Sequence, residues 1–305
     1  MSKKNEMLRL FLALCYHAAY LLHHALCLKP GTPLQNSKLI VVGSYRTGGA
    51  GKTPFCIWLC KHYAAQDKKV ALLVHEYAFD ETAMLRQIFS GNENVKVFAT
   101  HNRYRLAQEL DAAGQFDYIV CDDGFEDSRL TGAVTLLLSW ESTPTKLSEL
   151  WPCGKMRSLE KDHKANSSAT MVLKCYGENP DIQFVVDKVY RLSPHSATAE
   201  KIHDELSRDS SASIVCGLGD PKRFCQDIQA FGIKIKLHYF FKDHCKDFSR
   251  KFEQILQKHP QEAFIISAKD AARLPAEFIQ KNVKAQIYSA HQSIKVSPGV
   301  VQKLP

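Results

Sequence analysis

The chain has 305 residues, of which 45% are hydrophobic, and its formal net charge is +8. Such values are ordinary for a globular protein of one large or two medium domains, which excludes a chain too polar to build a core. The positive charge suits an acidic substrate, an anionic membrane face or nucleic acid. The sequence has no basic run interleaved with aromatic residues and no recognisable nucleic-acid module, so nucleic acid is not expected as a partner.

The first apolar stretch, residues 5–28, follows a short basic segment and contains no acidic residue after Glu6. Four interpretations compete: a secretory signal, a full membrane span, a buried core helix, and a helix lying on or dipping into the cytoplasmic leaflet. Histidines interrupt the run before it reaches the roughly 20 apolar residues that a span needs. Residues 1–42 hold five Lys or Arg against one Glu, which suits anionic headgroups and favours the surface helix.

The stretch 38–53, KLIVVGSYRTGGAGKT, predicts a buried strand, a glycine-rich turn and a helix. Backbone N–H groups of such a turn and the positive end of the helix face an anion, and a lysine reaches the outer phosphates. Arg46 stands where the strict pattern has glycine, so the loop is longer than usual, and an ordinary strand–helix turn is the alternative. The residues expected to bind a nucleotide are Gly48, Gly49, Ala50, Gly51, Lys52 and Thr53, and the Thr53 hydroxyl is placed to ligate Mg²⁺.

Two further predicted strands end in acidic residues. The second strand, 69–74, is followed by a segment that contains Asp80 and Glu81. Ligands bind beyond the carboxyl ends of strands in open parallel sheets, although position alone favours a helix-capping role for these two residues. The fourth strand, 116–121, runs directly into Asp122 and Asp123. Downstream of a phosphate loop, this pattern predicts that at least one of the two ligates Mg²⁺ rather than only forming a turn.

The remaining strands alternate with helices, which predicts a P-loop NTPase-like α/β fold with a doubly wound, mostly parallel sheet. We expect a membrane-associated helix at 1–30, a nucleotide-binding lobe at 31–176 and a second, smaller α/β lobe at 177–305. Strand-like segments near 184–190 and 285–288 are expected to connect the lobes. The second lobe contains His244 in a loop, and a lone loop histidine is usually a surface residue. Ten cysteines without zinc-ligand spacing are expected to be reduced thiols of a cytosolic compartment.

Taken together, these motifs resemble the tetraacyldisaccharide 4′-kinase family, the membrane-associated kinases of lipid A biosynthesis. The resemblance covers most of the chain, and the family's motifs occur in the family's order. The stretches that carry it are VGSYRTGGAGKTP (42–54), FDET (79–82), DDGFED (122–127), WPCGKMR (151–157), GLGDPKRF (217–224), KDH (242–244) and SAKDAARL (267–274).

The resemblance implies two α/β lobes with ATP and Mg²⁺ in the cleft. It implies transfer of the ATP γ-phosphoryl group to the 4′-hydroxyl of an acylated glucosamine disaccharide 1-phosphate, at the cytoplasmic face of the inner membrane. By position, Lys52 and the loop glycines would hold phosphates, while Thr53 with Asp122 or Asp123 would serve Mg²⁺. Asp80 matches the family's catalytic aspartate, a general base, and His244 matches the histidine that partners it.

The chain also departs from the family pattern. HEYAF (75–79) replaces a segment rich in glycine and arginine, Glu126-Asp127 replaces Gln-His, and Ala268 stands where the family has glutamate. The phosphate loop and the matched aspartates and histidine are retained, which favours an active kinase. The alternatives are a P-loop kinase or ATPase with another acceptor, and a non-catalytic nucleotide-binding protein at the membrane.

Overall fold

The computed structural model describes residues 3–77, 79–163, 169–193, 205–243 and 245–305. Within them the chain divides into two compact units, residues Met1–Gln183 with Val296–Pro305, and residues Phe184–Lys295. The sequence-based division at 176 and 177 instead assigns 296–305 to the second lobe. In the structure this tail belongs to the first unit, where the carbonyl of Pro305 accepts hydrogen bonds from Tyr63 (3.2 Å) and Tyr118 (2.9 Å).

The first unit is built on a parallel sheet, and the predicted doubly wound α/β architecture is confirmed. Its strand order, in the part of the chain that the structure describes, is β3-β2-β4-β1-β5-β6, and each neighbouring pair is parallel. The strands are β1 (Lys38–Gly43), β2 (Val70–His75), β3 (Val95–Thr100), β4 (Tyr118–Asp122), β5 (Val134–Ser139) and β6 (Ala169–Lys174). The helices between and after them are α2 (Lys52–Ala64), α3 (Phe79–Ile88) and α4 (Arg103–Ala113).

The apolar strand runs are continuous because both faces of this sheet are covered. Leu39 and Val41 pack on the side of α4, in a cluster that includes Ala107. Alternate residues, among them the fully buried Ile40, point to the opposite face. The helix α2 buries side chains at helical spacing, including Phe55, Leu59 and Tyr63. Sheet order therefore places the carboxyl ends of β1 and β4 side by side.

The N-terminal helix α1 (Lys3–Cys27) keeps most of its apolar side chains in solvent. Asn5–Cys27 has a mean hydropathy of 1.4 and is long and apolar enough to cross a membrane by length and composition alone. Phe11 and Leu22 are each 60% exposed, whereas Ala13 and His17 are buried. This helix is thus not a buried core helix, and its outward surface is largely apolar.

The second unit is also an α/β structure. Its sheet has the order β7-β11-β10-β8-β9 among the described residues. The strands are β7 (Ile182–Arg191), β8 (Ser211–Cys216), β9 (Lys234–Phe240), β10 (Ala263–Ser267) and β11 (Gln286–Val296). The helices α5 (Pro221–Phe231), α6 (Phe248–Lys258), α7 (Ala268–Ala272) and α8 (Ala276–Lys281) lie between them in sequence. The helix α9 (Pro298–Val301) follows β11 and belongs to the first unit. The segments expected as strand-like connections are β7 and β11, which are neighbours in this sheet.

Candidate active site

The predicted phosphate loop lies between the carboxyl end of β1 and the first turn of α2. Gly51 precedes the helix with φ +80°, a left-handed conformation that a residue with a Cβ adopts at a cost. At Gly43, a Cβ would lie 2.2 Å from the Cβ of Phe125, so only glycine allows this close approach. No atom of the described residues lies within 4 Å of a Cβ added at Gly48, so this glycine is not required by close packing. Ala50 is buried, and its carbonyl accepts the indole N–H of Trp140 at 2.9 Å.

The carboxylate of Asp122 lies against the start of α2. The hydroxyl of Thr53 donates to Asp122 Oδ2 at 2.8 Å and lies 3.4 Å from Glu81 Oε2. Asp122 is the last residue of β4 and is paired with Val42 of β1, so the strand register brings it to the loop. Its Oδ1 is buried and has no hydrogen-bond partner among the residues that the structure describes. Burial, together with Glu81 and Asp123, raises the pKa of Asp122 to about 6, although Lys52 and Thr53 oppose the shift.

The neighbouring Asp123 is held by cations. Lys52 Nζ lies 3.4 Å from Asp123 Oδ1, and the guanidinium of Arg157 donates to both carboxylate oxygens at 3.0 Å. Burial alone would raise the pKa of Asp123, but Lys52, Arg157 and Arg103 outweigh it and the pKa is lowered. Asp123 is therefore an ionised carboxylate whose partners also face the phosphate loop. Asp122 and Asp123 thus occupy different electrostatic environments although they are adjacent in sequence.

Residues 155–157 brace the phosphate loop from outside. The Thr47 N–H donates to the carbonyl of Lys155 at 2.9 Å, and the Arg157 N–H donates to the carbonyl of Tyr45 at 2.8 Å. The sequence singled out the WPCGKMR stretch as a motif but assigned none of its residues a role. Arg157 is the site residue that this reasoning missed, and its position at the end of that motif is the signal that identifies it.

Arg103 and Glu81 are two further residues at the site that the sequence did not assign to nucleotide or metal binding. Arg103 Nη1 donates to the backbone carbonyl of Asp122 at 2.6 Å. Arg103 begins α4, which follows β3, two strands away from β4 in the sheet. The sequence favoured a capping role for Glu81, whereas its carboxylate lies beside the Thr53 hydroxyl.

Asp80 and His244 are the two residues expected to act on the acceptor. The backbone of Asp80 lies in the first turn of α3, next in sequence to Glu81. This turn follows β2, whose neighbour β4 ends in Asp122. His244 lies outside the described residues. The roles of Asp80 and His244 therefore stay predictions from the sequence.

The departures at Glu126 and Asp127 have structural partners. Asp127 accepts two hydrogen bonds from Arg129, each at 2.8 Å. Glu126 accepts hydrogen bonds from Tyr20 and Ser158. Both carboxylates are thus engaged beside the site rather than placed as bare charges against the phosphate loop.

The departure at Ala268 lies in the second unit. Ala268 begins α7, and the Ser267 side chain caps this helix by accepting from the Asp270 N–H. Asp270 is fully buried, accepts from the Gly217 N–H at 3.2 Å and is paired with Arg273. The SAKD stretch therefore keeps a defined fold without the family's glutamate.

Comparison with known proteins gives one family. The model of the tetraacyldisaccharide-1-P 4′-kinase family matches residues 7–79 and 75–304. A tetraacyldisaccharide 4′-kinase of Haemophilus influenzae (strain 86-028NP) is 25% identical, over 99% of this chain and 95% of its own length. That of Actinobacillus succinogenes (strain ATCC 55618 / DSM 22257 / CCUG 43843 / 130Z) is 28% identical, over 80% of this chain and 77% of its own length. The crystal structure of LpxK from Aquifex aeolicus in complex with ATP has the same fold, with a TM-score of 0.61 at 18% identity, covering 96% of this chain and 95% of that one.

Proposed function

The chain belongs to the tetraacyldisaccharide-1-P 4′-kinase family, and from that premise we propose that it phosphorylates a lipid A precursor. The reaction is transfer of the ATP γ-phosphoryl group to the 4′-hydroxyl of an acylated glucosamine disaccharide 1-phosphate. The single observation that supports it best is the buried Oδ1 of Asp122, which has no hydrogen-bond partner among the described residues, in a carboxylate that accepts from the Thr53 hydroxyl of a phosphate loop. A buried carboxylate oxygen that receives no hydrogen bond from the described residues suits a cation that binds together with a nucleotide.

The residues present fit Mg²⁺ and ATP. The Thr53 hydroxyl and Asp122 supply the hard oxygen donors that Mg²⁺ prefers, and Glu81 lies beside them. When bound, Mg²⁺ neutralises charge on the β- and γ-phosphates. The N–H groups of residues 48–51 and the start of α2 would cradle the phosphates, and Lys52 would bind their outer oxygens. Arg157 and Asp123 keep the Lys52 ammonium aimed at this place.

Phosphoryl transfer then requires a base for the acceptor hydroxyl. We assign this role to Asp80, which shares the first turn of α3 with Glu81 and matches the family's catalytic aspartate. A carboxylate oriented by an imidazole can take the hydroxyl proton as the new P–O bond forms, and His244 is assigned the orienting role. Because the chemistry depends mainly on positioning and charge neutralisation, the substitutions at 126, 127 and 268 are compatible with activity.

The acylated acceptor places the enzyme at a membrane. The exposed apolar side chains of α1, with basic residues at its start, suit a helix seated in the headgroup region of an anionic leaflet. ATP is supplied from the cytoplasm, so we assign the protein to the cytoplasmic face of the inner membrane. A soluble acceptor would leave the exposed side chains of α1 without a use.

The test is transfer of labelled phosphate from ATP to tetraacyldisaccharide 1-phosphate in detergent micelles. We expect Mg²⁺-dependent product from the wild type and a loss of at least about 100-fold in Asp80→Ala, as for removal of a general base. Lys52→Ala should lose product and ATP binding together, whereas His244→Ala should keep ATP binding. Lys68→Ala, which changes an exposed lysine, is the matched control. A folded wild type that binds ATP but makes no product would refute the proposal for this acceptor.

A further inference from the structure

The helix α1 meets the rest of the first unit through polar contacts. The Tyr20 hydroxyl donates to Glu126 Oε2 at 2.5 Å, and His17 Nε2 lies 2.9 Å from Asp162 Oδ2. The side chains of His17 and Asp162 are 7% and 3% exposed, so this pair is shielded from water. The outward surface of α1 is largely apolar, and these polar partners, together with the buried Ala13 packed against Leu150, mark the face of the helix that turns inward.

Glu126 is engaged from two directions. One carboxylate oxygen accepts from Tyr20, and the other accepts from the Ser158 hydroxyl at 2.9 Å. Ser158 also lies 2.8 Å from His163 Nε2, and the His163 ring stacks on Phe125 with centroids 4.0 Å apart. We call Tyr20, Glu126, Ser158 and His163 the docking cluster. Within it a removed partner leaves a largely buried polar group unsatisfied, which is costly.

The docking cluster is continuous with the nucleotide site through two short segments. Asp123 and Glu126 lie on one turn, and their partners Arg157 and Ser158 are consecutive residues of the other segment. The turn is tightly held, because the Gly124 N–H donates to the Val42 carbonyl at 3.2 Å and a Cβ at 124 would lie 3.1 Å from Cys121. Glu126 and Ser158 are therefore linked through short, closely packed backbone to the Asp123–Arg157 pair that faces Lys52.

We propose that Glu126 is a positioning residue that couples the seating of α1 to the placement of Asp123 and Arg157 at the nucleotide site. Tyr20 affects the affinity for the nucleotide indirectly, through Glu126, Ser158 and Arg157, and not by contact with the phosphates. The consequence is that a helix correctly seated on the lipid favours binding of Mg²⁺-ATP. This inference rests on the proposed kinase function for its nucleotide, and its test does not need the lipid acceptor.

The experiment measures the dissociation constant of Mg²⁺-ATP by calorimetry on the full-length protein in detergent micelles. Tyr20→Phe and Glu126→Ala are expected to weaken binding about five- to tenfold, because part of the free energy of a hydrogen bond to a charged group is transmitted to the nucleotide site. Glu126→Gln keeps an acceptor for Tyr20 and should stay within about twofold of the wild type. Tyr176→Phe and Glu141→Ala change exposed side chains of the same types and serve as matched controls.

A role confined to stability predicts a different result. In that case Tyr20→Phe would lower the melting temperature but leave the dissociation constant unchanged well below it, which would overturn the proposal. A double-mutant cycle between Tyr20→Phe and Arg157→Lys gives a second readout, since coupled residues lose less together than the sum of the single losses. Additive losses would also overturn it. Wild-type protein that binds Mg²⁺-ATP but forms no product refutes the proposed function alone and leaves this comparison intact.

Discussion

Replacement of Asp122 by asparagine is expected to stabilise the nucleotide-free protein above pH 7 while removing its activity. Burial, with Glu81 and Asp123 beside it, raises the pKa of Asp122 to about 6 from 3.8 in spite of Lys52 and Thr53. The folded state therefore binds this proton more tightly than the unfolded chain does. The free energy of unfolding consequently falls as the pH rises through the interval between these two values.

The magnitude follows from the two pKa values. The difference between 3.8 and about 6 corresponds to about 3 kcal/mol of unfolding free energy, at about 1.4 kcal/mol for each pH unit. Asp122 Oδ1 has no hydrogen-bond partner among the described residues, so an asparagine amide at this position would bury an N–H group without an acceptor. This cost reduces the gain in unfolding free energy by about 1 kcal/mol. We thus expect Asp122→Asn to exceed the wild type by about 2 kcal/mol at pH 8, with an advantage that disappears toward pH 4.

Urea unfolding followed by tryptophan fluorescence, in micelles with EDTA, measures this difference at pH 5 and pH 8. Glu93→Gln, which neutralises an exposed carboxylate, is the control for the loss of one negative charge. Addition of Mg²⁺ and ATP should stabilise the wild type and leave Asp122→Asn unchanged. The reasoning is refuted if the two proteins are equally stable at pH 8, or if their difference is the same at both pH values.

Three further predictions concern the loop, its brace and the helix. Arg157→Lys replaces a bidentate contact with Asp123 by a single hydrogen bond, so the dissociation constant of Mg²⁺-ATP measured by calorimetry should rise about tenfold. An unchanged dissociation constant would contradict the role of Arg157 in holding Asp123 beside the phosphate loop. Gly51→Ala places a Cβ at φ +80°, and thermal unfolding should show a loss of about 1–2 kcal/mol, whereas an unchanged midpoint would argue against this backbone conformation. Leu22→Glu puts a charge on the exposed apolar surface of α1, so the fraction of protein that floats with anionic vesicles should fall severalfold. The control Leu237→Glu, at an exposed leucine of the second unit, should float to the same extent as the wild type.

Several features of the fold were predictable because they depend on neighbours in sequence. The apolar runs that form β1, β2 and β4 are continuous, as strands covered on both faces must be, and the helices between them require a parallel sheet. The family, the two α/β units and the parallel sheet are confirmed. The division into residues 1–30, 31–176 and 177–305 stays a prediction, as do the roles of the site residues.

The motif order alone predicted where phosphate, metal and acceptor chemistry belong. A phosphate loop is one contiguous turn, so the spacing of its glycines, lysine and threonine is enough to predict it. An aspartate at the end of a buried strand can likewise be predicted to lie near the phosphate loop once that strand is assigned to the same parallel sheet. What this reasoning could not reach was the difference between Asp122 and Asp123, because adjacent residues acquire different pKa values only from the groups that surround them.

The sequence by itself thus determined the phosphate loop, the strand-end aspartates and the apolar character of the first helix, since each is written in consecutive residues. Only the tertiary structure decided that Arg157 clamps Asp123, that Tyr20 reaches Glu126 across a separation of 106 residues, and that the final residues pack with the first unit. Such contacts depend on the order of strands in a sheet and on which helix face turns inward. Those choices are made by the burial of many side chains at once, and no single stretch of residues specifies them.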